Sequence, residues 1–378
     1  MDAAPQPPTN APLSGTLVLD LSRMLPGAVL ARQLLDLGAR LIKIEAPEGG
    51  DPMRFTPPLV GGTGVGFTAF FRGAESVCLD LREEANAAAV ERISRTADVL
   101  IESFRPGTLE RWGLGPDRLL DGNSALVVVS LPGFRAQGPL AGRVGHDLNF
   151  VAESGLLSLL PGDGVPRVQM ADVTTGLLAT GSILAALLRR ERTGRGCHIE
   201  QPLSAAPMAW LTWAWAAAAA GGESTIELLL SGRAPCYRLY TCGDGLRIAL
   251  GAIEPKFWIS FLEMLDLGRL AAAGLDPGEE GRRAAAEIER VLASRPREHW
   301  LRLAEERNLP VSACRDLAQA QADPSFRASM TLEEARAPGG EAVEAPAPAL
   351  ALGATPERRA PALGEHTELV LEEFCIPR

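Results

Sequence analysis

Positive charge is what this chain is short of. Its 378 residues carry 37 Lys and Arg against 47 Asp and Glu, a formal net charge of −10. A nucleic-acid partner needs a surplus of cations to neutralise phosphates and release their counterions, so that class is excluded. Long apolar runs are equally scarce. The two most apolar segments, Val173–Leu188 and Met208–Ala220, fall short of the roughly 20 residues that cross a bilayer, and no membrane role is expected. No CxxC occurs, and the six cysteines (Cys78, Cys197, Cys236, Cys242, Cys314, Cys375) are scattered. Structural zinc needs about four converging ligands, and local spacing assembles none, so no metal is expected. The first strand-to-helix turn, "LSRMLPG", lacks the G-x-G-x-x-G fingerprint, and "GGTGVG" (Gly61–Gly66) follows no strand. A nicotinamide-dinucleotide enzyme is therefore excluded. Residues 1–14, "MDAAPQPPTNAPLS", have neither the basic start nor the apolar stretch of an export signal. They read as a disordered tail, the thiols as free, and the location as cytoplasmic.

What is present is an alternation. "GTLVLDL", "ARLIKIE", "DVLIES" and "ALVVVSL" are short β-rich runs, and the segments Gly27–Gly38 and Arg82–Ala97 between them have helical composition. Near-continuous apolar strands separated by helices predict a doubly wound, Rossmann-like parallel sheet buried on both faces. In such sheets ligands collect at the carboxyl ends of the strands, which directs attention to the loops after Leu21, Glu45, Ser103 and Leu131. A long helix follows Asp172 and ends in basic residues, "RRERTG". From Pro235 the pattern changes. Two strands joined around "GDG" and then helices over Lys256–Leu265, Gly281–Ala293 and Arg297–Arg307 predict a smaller α+β domain. The expected division is a large α/β domain over 15–205, a linker helix over 206–234, and the small domain over 235–325. An Ala/Pro-rich linker over 326–362 and a C-terminal helix over 363–378, returning to the large domain, complete it.

Three acid–base candidates emerge, each with a local alternative. The chain has only 4 histidines, and His146 stands in "VGHDLNF" after the buried strand ending at Leu131. The competing reading is an exposed histidine beside Asp147 acting as a helix cap. Asp172 in "QMADVTTG" and Glu254 in "GAIEPKFW" are open to the same capping role. Residue types and spacing leave these alternatives standing.

Taken in order, "GTLVLDLSRMLPGAVLARQLLDLGARLIKIEAPEGGDPMR", "ESFRPGTLERWGLG", "GHDLNFVAESG", "ADVTTGLLATGSILAALLRRERTGRG" and "PALGEHTELVL" resemble the family III CoA-transferases (CaiB/BaiF type) and their relatives the α-methylacyl-CoA racemases. "GHDLNF" and "GAIEP" resemble the racemase branch in particular. The resemblance implies an interlocked homodimer acting on acyl-CoA thioesters, with no cofactor beyond the CoA of the substrate. It implies that His146 and Asp172 are two opposed bases, that Glu254 pairs with His146, and that Asp147 marks an oxyanion position. In the transferase alternative Asp172 is instead the nucleophile that forms an acyl anhydride. A catalytically silent acyl-CoA-binding relative is the third reading. Arg72, Phe104, Arg105 and Arg111 are the expected CoA contacts. Ala46, Ala74 and Glu75 stand where relatives usually carry basic residues, a loss that a carrier-bound pantetheine substrate would tolerate.

Overall fold

The computed structural model describes residues 11–162, 164–221, 225–347 and 359–376. They form two compact units: one of residues 1–210 with 330–378, and a smaller one of residues 211–329. Of the expected N-terminal tail, residues 1–10 lie outside the described residues. Leu13, at its end, is buried in the core, and its N–H donates to the Leu37 carbonyl at 2.8 Å.

The larger unit is built on six parallel strands: β1 (Leu17–Asp20), β2 (Arg40–Glu45), β3 (Glu75–Cys78), β4 (Val99–Glu102), β5 (Val127–Ser130) and β6 (Cys197–Glu200). Their spatial order is 3-2-1-4-5-6, the order of a doubly wound sheet. Strand alternation sends Val18, Leu41, Val99, Ile101, Val127 and Val129 to one face. Leu19, Ile42, Val77, Leu100 and Val128 go to the other. The first face is covered by α1 (Met24–Asp36) and α5 (Met170–Thr193), the second by α2 (Glu84–Ser94) and the C-terminal helix Thr367–Glu373. Between α2 and α5 lie α3 (Pro116–Gly122) and α4 (Asp147–Glu153).

Helix α1 begins three residues before the position expected from its apolar pattern. Pro26 sits in its first turn, where the missing N–H has no intrahelical partner to lose. The long helix α5 also begins earlier, at Met170, which places Asp172 inside the first turn and not at the cap. Its 24 residues make it long and apolar enough to cross a membrane by composition, contrary to the shorter run read from the sequence. Yet 56% of its most apolar window is buried inside this chain. Gly176 explains how α5 lies so close to α1: a Cβ there would fall 2.7 Å from Val29 and 2.9 Å from the Pro26 carbonyl.

Two elements differ from the compositional reading. The sequence "CHIE" of β6 was not expected as a strand; it is a partly exposed sheet edge, without the apolar run that marks the inner strands. Within the expected linker, Leu332–Arg336 and Ala342–Pro346 pair as an antiparallel hairpin, with Ala335 and Ala345 buried. Residues 348–358 of that linker lie outside the described residues. The smaller unit contains a three-stranded antiparallel sheet, Tyr237–Thr241, Arg247–Gly251 and Val311–Ala313. Helices Pro255–Met264, Glu279–Leu292 and Arg297–Glu306 cover it around a core that includes Tyr240, Phe261 and Trp300.

Under the carboxyl ends of β1 and β2 lies a buried ionic network. Lys43 sits 3.1 Å from Asp20 and 3.2 Å from Asp51, and 4.3 Å from the Phe71 ring centroid. Arg54 grips Glu45 through two bonds of 2.6 and 2.8 Å. Burial alone would discharge Lys43, but Asp20, Asp51 and Glu45 more than offset it and hold the ammonium charged. Burial likewise opposes the Glu45 charge, and Arg54 overrides it, so this carboxyl ends below its ordinary range. Asp20, which shares its cation with Asp51, is left above its ordinary value by burial.

Candidate active site

A cavity of about 350 Å³ opens at the carboxyl ends of the strands, where the sheet order reverses between β1 and β4. Its walls come from the loops after β1 (Ser22, Arg23), β2 (Ala46, Glu48) and β3 (Asp80, Arg82), and from Phe104 and Trp112 beyond β4. Phe104 and Trp112 meet edge to face with ring centroids 5.0 Å apart, and the Arg23 guanidinium lies 5.8 Å from the Phe104 ring. Arg82 reaches Asp80 at 2.7 Å and Glu48 at 3.0 Å, both in solvent.

Of the four expected CoA contacts, Phe104 lines this cavity. Arg105 and Arg111 are exposed close by in sequence, with Arg111 donating to the Thr108 hydroxyl at 3.2 Å. Arg72 is a different case. It is buried and spends its guanidinium on the Ala69 carbonyl, on Glu333 at 3.1 Å and on the Pro346 carbonyl at 3.2 Å. It precedes the amino end of β3, whereas the cavity lies at carboxyl ends, so it serves the 332–346 hairpin. Arg23 and Arg82 are cavity cations absent from the expected CoA contacts; Arg23 lies on the expected loop after Leu21, whereas Arg82 lies on the loop after β3, which was not among the expected loops. Of the three usually basic positions, Ala46 lines the cavity, Ala74 is core, and Glu75 pairs with Arg40 at 2.8 Å.

The acid–base cluster is built by two helix starts. Helix α4 is fixed by the buried Phe150, whose ring packs edge-on against Phe134 at 5.3 Å. Gly145 lets the preceding loop lie flat on that ring, since a Cβ would come within 2.9 Å of it. His146 occupies the N-cap position, exposed, with its backbone N–H donating to Asn149 Oδ1 at 2.9 Å. Asp147 does not cap its own helix. Its Oδ1 accepts the N–H groups of Ala171 at 2.6 Å and Asp172 at 3.0 Å, closing the start of α5 instead. That bond pair ties the His146 segment to the Asp172 segment. Asp172 is buried, at 8% exposure, and its Oδ2 accepts from Gln169 Nε2 at 3.0 Å. Burial first, and the neighbouring Asp147 charge second, push its carboxyl up from 3.8 to about 6, while Gln169 and the nearby His146 restrain the rise.

Glu254 lies in the smaller unit. It stands at the N-cap of the helix Pro255–Met264, but its side chain makes no capping bond and is exposed, so the capping alternative does not explain it. Among the described residues no group of three or more His, Cys, Asp or Glu is placed to hold a metal ion.

The structure thus offers a buried carboxyl raised to about 6 near a histidine, and a crevice at the sheet switch point lined by both basic and acidic side chains. Comparison with known proteins supplies the class. The profile of CoA-transferase family III matches residues 13–367, and the chain belongs to this family. It is 30% identical to the alpha-methylacyl-CoA racemase of Mus musculus, covering 96% of this chain and 93% of that protein. It is equally 30% identical to the succinate–glutarate CoA-transferase of Agrobacterium fabrum, over 97% of each chain. A crystal structure of a CAIB/BAIF family protein from Brucella suis superposes with a TM-score of 0.82 at 29% identity, covering 97% of this chain and all of that one. Racemases and CoA-transferases thus stand at the same distance.

Proposed function

We propose that this protein is an acyl-CoA racemase that inverts the α-carbon of a 2-methyl-branched acyl thioester. The observation carrying this reading is the joining of His146 to a buried, near-neutral Asp172 through Asp147. A group that must both take and give a proton at physiological pH works best with a pKa near that pH. One base removes the α-proton, leaving an enolate conjugated with the thioester carbonyl, and the other returns a proton to the opposite face. His146, exposed and able to change charge at little cost, is one base; Asp172 is the other. Glu254 is proposed to steady the His146 imidazolium across an interlocked homodimer, and N–H groups around Asp147 to receive the enolate oxygen. The CoA nucleotide is proposed to lie in the cavity at the sheet switch point, against Phe104, with Arg23 and Arg82 facing its phosphates and Arg105 and Arg111 close by. Arg72, committed to the hairpin, is withdrawn from that set.

The competing reading is a family III CoA-transferase in which Asp172 attacks the thioester carbonyl, expelling CoA thiolate and forming an acyl-aspartyl anhydride. It leaves His146 without a task. Incubating a 2-methylacyl-CoA in D₂O separates the two. Exchange of the α-proton without an acyl acceptor, slowed by about a hundredfold or more in His146→Ala, is expected. Hydroxylamine trapping of an acyl group at Asp172, with transfer to a free carboxylate and no exchange, would establish the transferase instead.

A further inference from the structure

Outside the Lys43 network, another buried carboxylate lies at the carboxyl edge and has no part in the chemistry above. Glu102 ends β4 with 7% exposure, beside Ser130 in the register of β5. Its Oε2 accepts the backbone N–H of Phe104 at 2.7 Å, and Ser130, its register neighbour, favours the ionised carboxyl. Ser130 Oγ lies 2.9 Å from Nε2 of His198, an exposed residue of β6. Ser130 therefore stands between Glu102, behind the cavity wall, and His198 at the solvent. The same turn carries Ser103, whose Oγ accepts the Arg23 N–H at 2.9 Å. Two cavity residues, Phe104 and Arg23, are thus held by groups at the end of one strand.

We infer that Glu102 is a positioning residue whose charge state sets how firmly Phe104 is held in the cavity wall, and hence how tightly the cavity grips its nucleotide ligand. An ionised carboxylate makes a charge-assisted bond to the Phe104 N–H, roughly twice as strong as the bond a neutral acid accepts. The Ser130 hydroxyl can donate towards the carboxylate while accepting the Nε2–H of His198, and both directions can reverse when Glu102 is protonated. Ser130 and His198 thus serve either state and give the buried acid a route for its proton. Burial raises the Glu102 carboxyl to about 7, with Ser130 and the Phe104 N–H opposing the rise and Glu110 adding to it. The other charged groups facing this turn are Arg23, over the Phe104 ring, and His198 beyond Ser130.

The inference rests on the proposal that CoA occupies this cavity, so its test has one arm that needs no ligand. In the ¹⁵N-labelled protein the Phe104 amide is expected to titrate with a midpoint near 7. That titration should vanish in Glu102→Gln and move to higher pH in Ser130→Ala, which removes the donor that favours ionisation. In the second arm CoA binding is measured from pH 6 to 8. Affinity should rise by about fivefold with pH in the wild type, beyond any rise in Glu102→Gln. Subtracting the variant removes the titration of the CoA 3′-phosphate. A Phe104 amide that ignores pH, or titrates unchanged in Glu102→Gln, overturns the inference. So does an affinity step that survives in the variant. Failure of CoA to bind any form while the amide titrates as expected would refute CoA as the cavity ligand, and with it the proposed control of affinity, while leaving His146 and Asp172 to the exchange experiment.

Discussion

Two groups of buried charge occupy the same edge of one sheet, and they are built on opposite plans. Around Lys43 opposite charges interleave: Asp20 and Asp51 flank the ammonium and Arg54 forks onto Glu45, with Asp20, which shares its cation, the one carboxyl left above its ordinary value. Around Asp172 the near neighbour is another carboxylate, Asp147, and the cation it interacts with is an exposed histidine. The first arrangement keeps its lysine and Glu45 firmly charged. The second leaves an acid poised near 6. Burial is common to both, so burial alone does not mark a reactive group. What separates scaffold from candidate catalyst is whether the buried charge has been compensated.

The largest test removes a compensating charge. Lys43→Met should destabilise the protein by about 3–5 kcal/mol in denaturant unfolding, because Asp20 and Asp51 are left facing each other out of water. A loss below about 1 kcal/mol would dissolve the contrast.

Removing the uncompensated charge should do the reverse. Asp172 binds its proton more tightly when folded than its ordinary value of 3.8 allows, so its share of stability falls as pH rises from about 4 to about 6 and stays low above that. Asp172→Asn should therefore raise stability by roughly 1–3 kcal/mol at pH 8 and by nothing at pH 4, while abolishing α-proton exchange. Glu45 has the opposite sign. Its folded carboxyl lies below the ordinary 4.5, so its contribution is present above that pH and is lost as pH falls further. A variant Asp172→Asn that is less stable at pH 8 than at pH 4, relative to wild type, would contradict the assignment.

The smallest stability effect accompanies a large functional one. His146→Ala removes an exposed ring and should shift stability by less than about 0.5 kcal/mol. The same substitution should slow exchange by about 10²–10⁴-fold. A comparable loss of stability would make His146 a structural cap.

Legibility in the sequence followed the range of the interactions. The inner strands show as apolar runs because both faces of the sheet are covered, and β6 does not because it is an edge. The capping role of Asp147 was visible in kind but not in target, since the helix it closes begins more than twenty residues later. Arg72 had the right chemistry for a phosphate and the wrong end of the strand. The 332–346 hairpin looked like a linker because backbone pairing, with only Ala335, Ala337 and Ala345 buried, leaves almost no compositional trace. Glu102 was hidden inside "DVLIES", although a glutamate ending an otherwise apolar strand at a carboxyl edge is a signal that can be read.

By itself the sequence determined the class of fold, through apolar runs and glycine-closed helices whose periodicity is local. It also supplied the candidate acid–base residue types, and directed attention to the carboxyl ends of the strands for His146. Only the tertiary structure decided which of the ionisable groups are neutralised and which are left exposed to one another. The reason is electrostatic: a carboxyl group's proton affinity depends on its burial and on charges within a few ångströms. For Asp172 the neighbouring charge, Asp147, comes from 25 positions away in the chain.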